Sequence, residues 1–111
     1  MPKTLLQGTL DLLILKTLSK GGPRHGYAIA RRIEEVTSDA LRIEEGSLYP
    51  ALYRMERRGW IDGRWLEKEG QRRRRYYKIS SAGRKVLIEQ RASWHELLTA
   101  LRAVARIDPI G

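Results

Sequence analysis

The chain contains no cysteine in its 111 residues, which excludes disulfides and thiolate metal sites and fits a reducing cytoplasm. Histidine is nearly missing as well. His25 and His95 stand far apart, and no cysteine or carboxylate sits at metal-ligand spacing from His25. There is no glycine-rich phosphate loop, and the acidic pairs Glu34-Glu35 and Glu44-Glu45 read as helix-surface and linker charges. With no nucleophile–base constellation, an enzyme is not expected, nor is a metal or cofactor. No apolar run has the length of a membrane span, and the N-terminus lacks the basic, apolar, then small pattern of a signal peptide. A soluble cytoplasmic protein is the expectation.

Acidic residues are also in deficit. Lys and Arg number 22 against 13 Asp and Glu, a formal charge of +9 with a pI near 10.4, which favours a polyanionic partner. The excess is concentrated: from Arg54 to Lys78 there are 10 basic and 4 acidic residues, so this quarter of the chain supplies +6 of the total. Nucleic acid and an anionic membrane surface are the two candidates. A membrane-surface protein would carry its charge on an amphipathic helix, whereas here much of it falls in what reads as a hairpin. Length and a 41% hydrophobic content allow one domain with a modest core.

The stretch from Glu45 to Trp60 organises the rest. Leu48, Ala51, Leu52 and Met55 recur at helical steps and form an inner face. The outer face carries Ser47, Tyr49, Tyr53, Arg54 and Arg57, all hydrogen-bond donors. Pro50 is harmless only in the first turn, and Ser47 as N-cap would place it there. Gly59 suits the left-handed residue that closes a helix. A helix with an apolar inner side and a basic, aromatic outer side fits against a negatively charged partner.

Upstream, Leu5 to Leu18 is apolar nearly all round, with Leu6, Leu10, Leu13, Ile14 and Leu18 on one face. It serves the core alone or the core plus a second subunit. Thr4 and Gln7 have capping-box spacing, weakened by Gly8. Gly21-Gly22-Pro23 ends this helix, and a second runs from about His25 to Val36, with Ile29, Ala30, Ile33 and Val36 inward. His25 reads as a surface or capping residue rather than a ligand. Tyr27 reaches DNA through its hydroxyl or is buried. Leu41 and Ile43 alternate with Arg42 and Glu44, enough for a very short strand.

Downstream, Ile61–Leu66 and Arg73–Ile79 read as two strands, with Ile61, Trp65, Tyr77 and Ile79 alternating against polar neighbours. Glu67 to Gln71 forms the hairpin loop. Arg72, Arg73, Arg74 and Arg75 follow it and, with Tyr76, favour phosphate contact over a merely solvated charge run. Ser81 begins a last helix, which Pro109 stops. Leu87, Trp94 and Leu101 are seven residues apart, and Leu97, Leu98, Val104 and Ala105 fill a second row, a coiled-coil-like seam. At ~37 Å for about 25 residues it overshoots so small a domain, which points to a homodimer.

The fold class expected is mainly α with a small β-hairpin (α+β): a winged helix-turn-helix in residues 1–80 and a long dimerisation helix in residues 81–108. A major groove admits an α-helix. Ser47, Leu48 and Tyr49 would lie closest to base edges, and Arg54 and Arg57 nearer phosphates. The arginine-rich hairpin would follow the backbone or enter the minor groove. The alternative is a basic protein that holds nucleic acid without sequence preference or ligand sensing.

The chain resembles the PadR-type transcriptional regulators over essentially its whole length. The matching pieces are Gly8-Thr9-Leu10-Asp11, His25-Gly26-Tyr27, Gly46-Ser47-Leu48-Tyr49-Pro50-Ala51-Leu52, Arg57-Arg58-Gly59-Trp60-Ile61 and Arg75-Tyr76-Tyr77-Lys78-Ile79-Ser80-Ser81-Ala82-Gly83. Their order and spacing together are specific. The resemblance implies a dimeric, sequence-specific DNA-binding protein, most often a repressor, with a palindromic operator held by the third helix and the wing. It makes Tyr27 an extra phosphate contact. A single long helix after the wing resembles the shorter PadR branch. Some shorter members bind flat aromatic compounds between subunits near a tryptophan of the last helix, and others in the family respond to phenolic acids. Trp94 falls at that position, with Leu97, Leu98, Leu101, Leu6 and Leu10 in the implied effector and dimer interface. Trp94 packing the seam as an ordinary apolar residue is the other reading.

Overall fold

A computed structural model describes residues 2–107, with side chains from Gly8 onward. The side chains of Thr4, Leu5, Leu6 and Gln7, and all of Pro109, lie outside the described residues. The elements in chain order are α1 (Pro2–Leu18), β1 (Arg24–His25), α2 (Gly26–Val36), α3 (Glu45–Arg57), β2 (Ile61–Leu66), β3 (Arg74–Ile79) and α4 (Ser81–Ala105). The three strands form an antiparallel sheet in the order β1-β3-β2. Ile14, Leu15 and Leu18 of α1 meet Ile29 and Ile33 of α2, Leu48, Leu52 and Met55 of α3, and Ile61 and Ile79 of the hairpin in one core. Leu87 brings the start of α4 into that core.

The hairpin forms where the alternation places it, Ile61 opposite Ile79 and Leu66 opposite Arg74. Gly59 closes α3 as expected, at φ +76°, with the Trp60 N–H donating to the Met55 carbonyl at 3.0 Å. Three expectations change. The short strand is not at Leu41–Ile43 but at Arg24–His25, ahead of α2, where it pairs with the free edge of β3. Backbone carbonyls take the N–H groups of residues 37–40, and side chains take those of Leu41 and Ile43. The Ile43 N–H donates to the buried Glu34 carboxylate at 2.9 Å, and the Leu41 N–H donates to the Thr37 hydroxyl. Ser38 and Asp39 take positive φ, which suits a turn and not a strand. Glu34 is therefore a structural acceptor rather than a surface charge.

Second, α3 begins at Glu45 with Glu44 as N-cap, and Ser47 lies inside the first turn. The N–H groups of Ser47 and Leu48 both donate to the Glu44 carbonyl, which starts the helix three residues early. Pro50 is then the sixth helical residue, and its missing N–H leaves the carbonyl of solvent-exposed Gly46 to water. Third, Trp65 is exposed rather than inward. Only Ile61 of β2 reaches the core, and beyond it the hairpin projects past the helices.

The last helix is capped by Ser80, whose hydroxyl accepts from the Gly83 N–H at 3.0 Å. The Ser80 N–H donates to the Trp60 carbonyl at 3.0 Å. A Cβ on Gly83 would stand 2.0 Å from that same carbonyl oxygen, so only glycine lets α4 leave the sheet here. Gly83→Ala should therefore destabilise the fold by about 3 kcal/mol, as overpacking against backbone does. Gly46→Ala, with open space around its Cβ, should stabilise by about 0.5 kcal/mol. Urea midpoints at unchanged m-value check both.

Candidate nucleic-acid interface

Between α3 and the hairpin runs a groove of about 710 Å³, with the start of α2 at one end. Tyr27, Tyr49 and Tyr53 stand along it at 61%, 46% and 65% exposure, enough to present both ring and hydroxyl to a partner. Tyr49 and Tyr53 are one helical turn apart on α3 and so share a face. Tyr49 is seated by a glycine: a Cβ on Gly26 would lie 2.9 Å from its ring, so the bare backbone at the start of α2 is its floor. From the hairpin come Arg72 and Arg74, both exposed. Arg57 lies over the Tyr53 ring at 5.7 Å, and Arg73 over the Trp65 ring at 5.2 Å. Both remain at the surface as cation–π partners.

Two of the expected phosphate contacts are engaged inside the protein. Arg75 makes a two-pronged ion pair with Glu56, its Nε donating to Oε1 at 3.1 Å and its Nη2 to Oε2. The pair raises the pKa of the Arg75 guanidinium further, the Glu56 hydrogen bond being the main cause. Gly63 makes room for it, since a Cβ there would lie 2.7 Å from Arg75 Nε and 2.8 Å from Glu56 Oε1. Arg54 turns the other way and donates from Nη2 to Asp11 Oδ1 of α1 at 2.5 Å. Charge-assisted bonds of this geometry are the strong ones. Arg75 thus braces α3 to the wing, and Arg54 braces α3 to α1.

Leu48 is 2% exposed and belongs to the core, so its side chain is not available to a base edge. Starting α3 at Glu45 leaves its inward phase intact, and Leu48 follows Leu52 and Met55 inside. Tyr76 is 9% exposed, edge-on to His25 and beneath Lys68, which leaves its ring little free face. Ser47 is exposed but opens on the opposite side of α3, toward a second, apolar groove with Leu10, Leu41 and Ile43. His25, which the sequence reads as a surface or capping residue, caps α2 through Nδ1 and also reaches Arg74. Burial, then Arg74, then Lys68 lower its pKa. A contact across 49 residues leaves no local signal, nor does the pairing of Glu56 with Arg75. On α4, Trp94 is half-buried, while Leu97, Leu98, Leu101 and Val104 remain exposed. Leu10 packs partly against the core.

The Asp11 carboxyl is displaced upward, burial outweighing the opposing pull of Arg54. The folded state then binds this proton more tightly than the unfolded chain. The resulting stability is complete below the ordinary value of 3.8 and is lost as pH rises through the higher folded value. Asp11→Asn cannot titrate, so wild-type stability should fall relative to the variant across the pH interval just above 3.8. Urea midpoints measured in steps through that interval check it. A flat difference would mean that Arg54 fully offsets the burial.

Comparison with known proteins agrees with this fold. Residues 14–89 match the transcriptional regulator PadR-like family. A transcriptional regulator from Clostridium thermocellum is 30% identical and superposes with a TM-score of 0.78 over 95% of this chain and 99% of that one. A PadR-like transcriptional regulator from Bacillus cereus is 27% identical, with a TM-score of 0.77 over the same shares. A transcriptional regulator from Mycobacterium tuberculosis is 36% identical over 64 residues, 58% of this chain and 59% of that protein. With a three-stranded wing, the helix-turn-helix core and one long C-terminal helix in place, the chain belongs to the PadR-like family of transcriptional regulators.

Proposed function

We propose that this protein is a homodimeric, sequence-specific repressor of transcription that acts in the cytoplasm and leaves its palindromic operator when a small aromatic effector binds. The groove between α3 and the wing carries the reading. It sets Tyr27, Tyr49 and Tyr53 beside Arg72 and Arg74 on one exposed face. Such a face suits a duplex, with α3 in the major groove and the wing on the backbone. Tyr49 and Tyr53 are assigned to base edges and adjacent phosphates, and Tyr27, Arg57, Arg72, Arg73 and Arg74 to the backbone.

The exposed row Leu97, Leu98, Leu101 and Val104 supports dimerisation. Large apolar side chains in a continuous line on one helix are an interface pattern. Two such subunits would read half-sites about one helical turn apart, or a multiple of it. Trp94, at the inner edge of that row, is assigned to the effector site, with flat aromatic compounds as the class. Among the described residues no helix is long and apolar enough to cross a membrane, and no group of residues is arranged to hold a metal ion.

The test is binding to a duplex from upstream of the protein's own gene and to a scrambled duplex of equal length, across a salt series. A preference of about a thousandfold at two subunits per site supports a specific dimeric regulator. A steep salt dependence on every tested genomic duplex without preference would leave only a generic nucleic-acid holder. Tyr49→Ala should cost about 1–3 kcal/mol on the preferred site and flatten the preference. Arg74→Ala should weaken both duplexes alike and lower the salt slope by about one unit. Quenching of tryptophan fluorescence by flat aromatic compounds, lost in Trp94→Ala, tests the effector assignment.

A further inference from the structure

The imidazole of His25 is held by two groups that want the same thing from it. Nδ1 is 3.2 Å from the backbone nitrogen of Ala28, whose N–H it accepts to cap α2. Nε2 is 2.9 Å from Nη1 of Arg74. Backbone N–H and guanidinium are donors only, whereas a neutral imidazole offers one lone pair and an imidazolium none. No protonation state satisfies both contacts. With the lone pair on Nδ1 the cap is made, and the Nε2 proton points at a cation. With the lone pair on Nε2, Arg74 is satisfied and the helix cap is lost.

The surroundings sharpen the conflict. Tyr76 of β3 meets the ring edge-on with centroids 5.4 Å apart, and Tyr27 of α2 stacks at 6.4 Å. The charged groups acting on the ring are Arg74 of β3 and Lys68 of the hairpin loop, both cations. Two acids of α3, Glu45 and Glu56, line this groove; Glu56 is committed to Arg75, and neither is among the charges acting on the ring. The lowered pKa of the ring follows from the same arrangement. An anionic acceptor placed between Nε2 and Nη1 removes the conflict.

We propose that His25 and Arg74 together clamp one backbone phosphate of DNA, with a single anionic oxygen accepting from His25 Nε2–H and from Arg74 Nη1. The proton then resides on Nε2, Nδ1 keeps its cap on α2, and the guanidinium faces an anion instead of a donor. Arg74 is exposed, so a small rotation of its end admits the oxygen. The clamp joins the start of α2 to the wing across one phosphate. It rests on the DNA-binding reading of the same groove and adds a contact independent of base sequence.

His25→Asn separates the two jobs of the ring. Asparagine is a preferred N-cap whose oxygen can accept the Ala28 N–H, but it is too short to reach the position of Nε2. The variant should melt with the wild type. It should bind the upstream duplex and the scrambled duplex about tenfold more weakly, the scale of one hydrogen bond to a charged group. Combined with Arg74→Ala, it should lose less than the product of the single losses, since both substitutions dismantle one clamp. Ring nitrogen NMR of the wild-type protein should show His25 as the Nε2–H tautomer with either duplex added, its Nε2 signal displaced from that of the free protein. Unchanged binding by His25→Asn, or ring signals indifferent to DNA, overturns the clamp while leaving the DNA-binding reading intact. Should the variant lose its melting temperature, the wild-type ring signals alone decide. A wild-type protein that binds neither duplex overturns the DNA-binding reading, and the clamp falls with it.

Discussion

The ion pair between Glu56 and Arg75 ties the third helix to the wing, and the candidate interface lies in the groove between them. Its two prongs fix the guanidinium in plane with the carboxylate, and Gly63 beneath it leaves the space such a pair needs. Arg75 also lies over the Trp65 ring at 5.5 Å, so the same group steadies the outer part of β2, which has no core under it. Partly exposed, the pair contributes little to global stability. Its effect is geometric. It holds the hairpin against α3 as one wall of the groove.

This use of charge explains why the basic excess is not all available to a partner. Of the arginines between residues 54 and 75, Arg54 and Arg75 face carboxylates of the protein itself. Arg57, Arg58 and Arg73 lie over aromatic rings, which orients them without neutralising them. Arg72 and Arg74 face the groove, and Arg64 of β2 is exposed. A protein that contacts a polyanion must hold some cations still before binding, because ordering them at the moment of contact costs side-chain entropy. Here tyrosine and tryptophan order Arg57, Arg58 and Arg73 in advance, and His25 holds Arg74.

Much of this was legible in the residues. The hairpin strands, the glycine stop after Arg58, the inward row from Leu48 to Met55 and the long last helix all follow from periods of two and 3.6 residues. What sequence reasoning placed wrongly are features decided by partners distant in the chain. Leu41–Ile43 alternates like a strand, but the edge of β3 is occupied by Arg24–His25, and Glu34 offers Ile43 a side-chain acceptor instead. Ser47 has the chemistry of an N-cap, but the Glu44 carbonyl takes the first helical bonds. Leu48 cannot be both core and base reader, and its burial resolves which. The arginine run shows charge without showing allegiance, since Glu56 is 19 residues from Arg75 and Asp11 is 43 from Arg54.

The second brace, Arg54 to Asp11, gives α1 a position between the two ends of the proposed function. On one side α1 packs against α4, whose Leu87 shares its core; on the other it grips α3 through Asp11. Leu10, beside Asp11, also lines the apolar groove with Leu13, Pro50 and Ala51, so α1 and α3 share packing as well as a charge pair. An effector between subunits would act on α4 and α1 first. A rigid-body shift of α1 would carry Asp11 with it and require Arg54 either to follow, turning α3, or to give up a partly buried partner. Interfaces packed this closely respond in discrete steps rather than by continuous deformation. That would give the proposed ligand release of DNA a physical route through one helix and one ion pair, without any contact between the effector and the residues assigned to the operator.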